Sequence, residues 1–100
     1  MLTEEIKSKI IEHANTSNNE VCGLLVHSES GLDIQKTENL INSATEFMMN
    51  FDNQSNVAAY YHSHINFDAI SEADIIVSER LGLPCIVYNK QSGSFYTYNP

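Results

Sequence analysis

The stretch Val57-Ala58-Ala59-Tyr60-Tyr61-His62-Ser63-His64 is followed, after six residues, by Ser71-Glu72-Ala73-Asp74-Ile75-Ile76-Val77-Ser78-Glu79-Arg80-Leu81-Gly82. These two runs decide how the 100-residue chain is read. The first is a strand pattern that ends on two histidines at i and i+2. The second is a helix pattern. Ser71 is a good N-cap, and Ala73, Ile76, Val77 and Arg80 or Leu81 share one face of the helix expected over 71–81. Gly82, followed by Pro84, is its stop signal. A strand running through a short connection into a helix places the strand's end beside the helix's first turn.

Working outward, residues 3–15 read as a helix. Thr3 can cap it, Glu4 and Glu5 lie where the helix dipole favours acids, and Leu2, Ile6, Ile10 and Ala14 recur every fourth residue. Asn15 to Asn19 is turn chemistry. Residues 20–27 read as a strand buried on both faces, and Gly23 within it signals a close approach to the backbone. Leu32-Asp33-Ile34-Gln35-Lys36 alternates as a half-buried strand should and completes a hairpin. Residues 38–41 continue or follow that strand, 47–51 are a further short strand candidate, and 52–56 are turn-like. After the second helix, Cys85 to Asn89 and Ser94 to Tyr98 are strands joined by the turn at Lys90 to Gly93. The expected fold class is α/β: a single mixed β-sheet flanked by helices, formed by one domain over residues 1–100.

Composition narrows the function. Apolar residues make up 42% of the chain, an ordinary share for a globular protein. Net charge is −8 with only five Lys and Arg, so a nucleic-acid backbone would be repelled and nucleic acid is not an expected partner. The longest apolar run is Val21 to Val26, too short to span a bilayer, and the charged start Met1 to Lys7 lacks the apolar core of a secretory signal. Cys22 and Cys85 stand far apart with no C-x-x-C spacing, as expected for a reducing compartment. His13 and His27 have no partner at ligand spacing and read as satisfied or surface histidines.

The pair at His62 and His64 is different. Alternate strand residues point the same way, roughly 6.6 Å apart along the chain, so both rings can converge on one ion. By itself H-x-H more often marks two partly buried histidines. Here a third donor is available: Asp74 stands three residues past a helix cap, on the first turn that faces the strand's end. Two His and one carboxylate leave the fourth tetrahedral position open, which is the arrangement of a catalytic zinc. Glu20 stands at the mouth of an apolar strand, and without the histidines it would read as an exposed strand-end carboxylate.

Glu20 before Val-Cys-Gly-Leu-Leu-Val, then His62-Ser63-His64, then Ser71-x-x-Asp74, resembles the JAMM (MPN-type) metallopeptidase family. The likeness covers essentially the whole chain. It is nearest to the JAMM domain of phage tail assembly protein K and its small bacterial Mov34/MPN-like relatives. The resemblance implies a cytidine-deaminase-like α-β-α architecture. It also implies Zn2+ held by His62, His64 and Asp74, with Glu20 as general acid and base and Ser71 hydrogen-bonding the oxyanion. Hydrolysis of a peptide or isopeptide bond would follow. The implied partners are a phage structural protein, a cell-wall peptide or the tail of a small ubiquitin-like protein, with no membrane partner. The implied location is the cytoplasm of a bacterium or phage-infected host, or the virion. The other function the resemblance allows is a catalytically inactive binding or tail-assembly module. The chain departs from the pattern at Ile65, where the family usually has Pro, and in having six rather than seven residues before Ser71. The sequence leaves no room for the large insertions that recognise folded ubiquitin, so a flexible peptide in an open groove is expected. Relatives in phage tails carry a cysteine peptidase domain after this one, and the sequence given ends at Pro100 without it.

Rival metal chemistries fit less well. Pro84-Cys85 matches half of a zinc-deaminase signature, but Tyr88 holds the second cysteine position and H-x-E is absent. The chain is too short for an eight-stranded barrel hydrolase. Asn66 occupies the Asp position that the metallo-β-lactamase motif needs.

Overall fold

The computed structural model describes residues 2–18, 20–37, 56–65 and 69–100. Helix α1 (Glu4–Asn15) begins where the Thr3 hydroxyl accepts a hydrogen bond from the Ile6 amide. Strands β1 (Cys22–Ser28) and β2 (Gly31–Thr37) form the expected hairpin. Strand β3 (Val57–His64) leads towards helix α2 (Glu72–Leu81), followed by β4 (Cys85–Asn89) and β5 (Phe95–Tyr98). The expected strands at 38–41 and 47–51, and all but the last residue of the 52–56 turn, lie outside the described residues. Among the described residues no helix is long and apolar enough to cross a membrane.

The five strands form one mixed sheet in the order β2-β1-β3-β4-β5. Only β3 and β4 run parallel, because α2 carries the chain from the end of one to the start of the other; the remaining neighbours are antiparallel. Alternation along the strands gives the sheet two unlike faces. One face packs Leu25, Ala59, Tyr61, Ile86 and Tyr88 against Ile6, Ile10 and Ala14 of α1. The other packs Leu24, Val57, Tyr60, Cys85 and Val87 near Val77 and Leu81 of α2. A register shift between Leu25 and Val26 leaves Ala58 as the extra residue. That is why Val57 and Ala59, two apart in sequence, serve opposite faces.

Gly23 meets the expectation of close approach. A Cβ there would lie 2.5 Å from the Tyr61 hydroxyl and 2.7 Å from the Gln35 carbonyl. The missing side chain lets the Tyr61 ring cross its strand partner, and its hydroxyl reaches His13 Nδ1 at 2.7 Å. His13 is thus a satisfied buried histidine, and His27 is exposed.

One local expectation is corrected. On α2 the buried residues are Asp74 and Ser78, while Ala73, Ile76 and Arg80 face solvent. The inward stripe is Asp74, Val77, Ser78 and Leu81, rotated from the apolar face that the sequence suggests. Polar groups face inward because each finds a partner there. The Ser78 hydroxyl donates to the Leu83 carbonyl at 2.5 Å, and Asp74 meets the histidines of β3. Ile76 is left 47% exposed. The helix stops at Gly82, whose φ of 66° is left-handed, as a glycine after a helix allows.

Candidate metal centre

The end of β3 presents Tyr60, His62 and His64 on one face, and Ser63 on the other. Across from them, the first turn of α2 is fixed by a capping box. The Ser71 hydroxyl accepts from the Asp74 amide at 3.2 Å, and the Asp74 carboxylate accepts from the Ser71 amide at 3.0 Å. The Tyr60 hydroxyl donates to the Asp74 carbonyl at 2.8 Å, tying that turn to the strand. The carboxylate is thereby aimed at both rings: Asp74 Oδ1 lies 2.5 Å from His62 Nε2, and Oδ2 lies 3.3 Å from His64 Nε2.

These distances are those of groups aimed at a shared point. One ligand atom from each of His62, His64 and Asp74 lies within 4.8 Å of the others. A tetrahedral zinc with bonds of 2.0–2.2 Å separates its donors by about 3.4 Å. His62 Nε2 is buried and, among the described residues, lacks a hydrogen-bond partner despite the nearby carboxylate. Its contact with Asp74 is an ion pair only if the ring is protonated. A buried lone pair in that condition is costly unless something else satisfies it, and a cation does so. His64 Nδ1 lies 3.1 Å from the Ala69 carbonyl. A carbonyl only accepts, so Nδ1 carries the proton and Nε2 turns its lone pair to Asp74, the outer-shell arrangement typical of ligating histidines. The donor set fits a metal ion.

Burial alone would raise the Asp74 carboxyl. The neighbouring His62 ring and the two bonds with Ser71 outweigh it and hold the carboxyl below its usual range, so Asp74 is an anion at neutral pH. His64 and Asp74 are buried, and the His62 side chain is 20% exposed although its Nε2 is buried. Neither cysteine joins the group. Burial, with the Asp74 charge adding to it and a Tyr60 hydrogen bond opposing it, pushes the Cys85 thiol up to about 12. Cys22 is the buried strand partner of His62.

The structure therefore gathers four of the five sequence candidates: His62, His64, Asp74 and, through Asp74, Ser71. Glu20 is exposed one residue before Val21, whose backbone is bonded to Ser63 between the two histidines. Asp68, a further carboxylate that the shorter connection could bring into competition as a ligand, lies outside the described residues. The Ala69 carbonyl was not readable as part of the site, because a backbone group leaves no mark in the residue pattern. Tyr60 gave only the signal of sharing a strand face with His62 and His64.

No protein-family model matches the chain, and no curated protein matches it in sequence. Among solved structures it is similar to a JAB1/MPN domain protein from Archaeoglobus fulgidus, with a TM-score of 0.66. The two are 20% identical, over 94% of this chain and 83% of that one. The five-stranded mixed sheet with its two helices has the JAB1/MPN fold. The protein is an α/β domain of that fold with a His-His-Asp group able to bind a metal ion.

Proposed function

We propose that the protein is a zinc-dependent metallopeptidase of JAMM type, hydrolysing a peptide or isopeptide bond. The observation that carries this reading is the convergence of His62, His64 and Asp74, with the His62 lone pair buried and unsatisfied. His62, His64 and Asp74 would hold the ion, and a bound zinc would supply a water whose pKa is lowered to about 7. Glu20, exposed at the strand mouth, takes the proton from the attacking water and delivers it to the leaving amine. The Ser71 hydroxyl accepts the cap bond and also bonds the Asp74 carboxylate, and it would turn its O–H to the oxyanion during the reaction. The loop one residue shorter than the family pattern still leaves Asp74 within reach of both rings.

An unstructured peptide segment is the substrate class proposed. A phage structural protein, a cell-wall peptide or a ubiquitin-like tail would each offer one. We propose kinship with phage-tail and small bacterial proteins of this type on the helix-first order, Gly82-Leu83-Pro84 after the second helix and the short aromatic closing strand. The test is hydrolysis of unstructured peptides and of folded conjugates by zinc-loaded protein. Peptide cleavage lost in Glu20→Ala is the expected result. Full activity in Glu20→Ala overturns the assignment of the base, and cleavage of folded conjugates alone overturns the substrate class.

A further inference from the structure

Glu20 is placed by neighbours on both of its flanks, and both lead back to the histidine strand. Downstream, Val21 is clamped to Ser63 twice: the Val21 amide donates to the Ser63 hydroxyl at 2.9 Å, and the Ser63 amide donates to the Val21 carbonyl at 2.9 Å. Cys22 pairs with His62. The clamp prolongs the pairing by one residue, half through backbone and half through the Ser63 hydroxyl, and Glu20 is the residue that immediately precedes it. Upstream, the Lys90 ammonium donates to the Ser17 carbonyl at 2.8 Å and to the Ala14 carbonyl at 3.1 Å. The Lys90 amide in turn donates to the His64 carbonyl at 2.9 Å. One residue thus joins the end of the metal strand to the segment that leads into Glu20.

We infer that Ser63 and Lys90 are positioning residues that hold Glu20 against the metal centre. The inference rests on the metallopeptidase reading above. Ser63 is fully buried between the two histidines with its side chain on the opposite face, and Lys90 meets His64 only through the backbone. Neither side chain touches a metal-binding atom of the candidate set. Both would therefore act on the base while leaving the metal set intact.

The test uses the full chain with zinc added, comparing wild type with Ser63→Ala, Lys90→Met and Lys90→Arg. Two quantities are read: zinc affinity by chelator competition, and the zinc-induced shift of the Glu20 side-chain carboxyl carbon by NMR. The wild type is expected to bind zinc and to show the Glu20 shift. Ser63→Ala and Lys90→Met are expected to keep zinc affinity, well short of the roughly 10–100-fold loss that follows removal of a ligand's own outer-shell partner, but to lose the Glu20 shift. Lys90→Arg, which keeps the donors, is expected to retain it. A Glu20 shift that survives in both Ser63→Ala and Lys90→Met with zinc bound overturns the inference alone. Loss of zinc affinity in those variants equal to the loss of the shift overturns it as well, by making them supports of the metal site. Absence of zinc binding in the wild type overturns the metallopeptidase reading itself, and this inference with it.

Discussion

The two faces of the sheet use the same strands for opposite ends. Under α1 the contacts are mainly apolar: Ile6, Ile10 and Ala14 lie on Leu25, Ala59 and Ile86, with His13 bonded to the Tyr61 hydroxyl beside them. Under α2 the helix's buried residues are Asp74 and Ser78, and the strand offers His62 and His64. Burying a polar group costs free energy unless it is partnered. The α1 face meets that cost at His13, paired with the Tyr61 hydroxyl, and at Ser63, paired with Val21, whereas the α2 face meets it with a capping box, a tyrosine and, on our reading, a metal ion. The α1 face is the larger apolar layer, and the α2 face carries the candidate metal centre.

That contrast can be broken from either side. The largest effect on stability is expected under α1. Ile10→Ala should cost about 2–5 kcal/mol in urea unfolding, because a fully buried side chain is removed from a packed layer, while zinc binding to the remaining folded protein is unchanged. A cost below about 1 kcal/mol would mean that this face is not the main support. Gly23→Ala should follow at about 1–3 kcal/mol, since the new methyl meets the Tyr61 hydroxyl and a backbone carbonyl that cannot swing away. Tyr61→Phe in the same background should recover only part of that loss, because the ring Cζ at 2.6 Å and the Gln35 carbonyl remain; full recovery would place the whole clash on the hydroxyl.

Smaller effects probe polar burial. Ser78→Ala removes the donor to Leu83 at the end of α2 and should cost about 1 kcal/mol in the same assay; an unchanged unfolding midpoint would show that the bond contributes nothing net. The smallest effect is pH-dependent and comes from His13. Burial, with the Lys36 charge adding to it, lowers the His13 pKa from its ordinary 6.5. The unfolded chain therefore binds the proton more readily than the folded one. The contribution of a neutral His13 to stability is complete above pH 6.5 and is lost as pH falls through the lowered value. His13→Gln should flatten the fall in urea midpoint between pH 7 and 5, and an equal fall in both proteins would rule out His13 as its source.

Much of this was legible in the sequence because the signals were local. The cap at Thr3, the four-residue stripe from Leu2 to Ala14, the turn at Lys90 to Gly93 and the strand–helix order around His62 each use short-range chemistry. The site was half legible for the same reason. Strand alternation places two histidines together, and a capping serine three residues before an aspartate places the third group. What escaped was set by tertiary contact. The inward face of α2 follows from what lies beneath it, so the apolar rule chose Ala73 and Ile76 where the structure turns Asp74 and Ser78 inward. The Ala69 carbonyl, the Tyr60 hydroxyl and Lys90 act through backbone bonds that no residue pattern records. β1 begins at Cys22, two residues later than expected. The ladder nonetheless continues through Val21, just short of Glu20.

The most direct test of the account is the zinc content of the purified protein beside His62→Ala and Asp74→Ala, each checked for intact fold by circular dichroism. The account predicts one bound zinc per chain in the wild type and none in either variant, with both variants folded because the α1 face is untouched. A folded wild type that takes up no zinc when it is supplied, or a variant that keeps it, would contradict the claim that the polar face of this sheet exists to hold a metal.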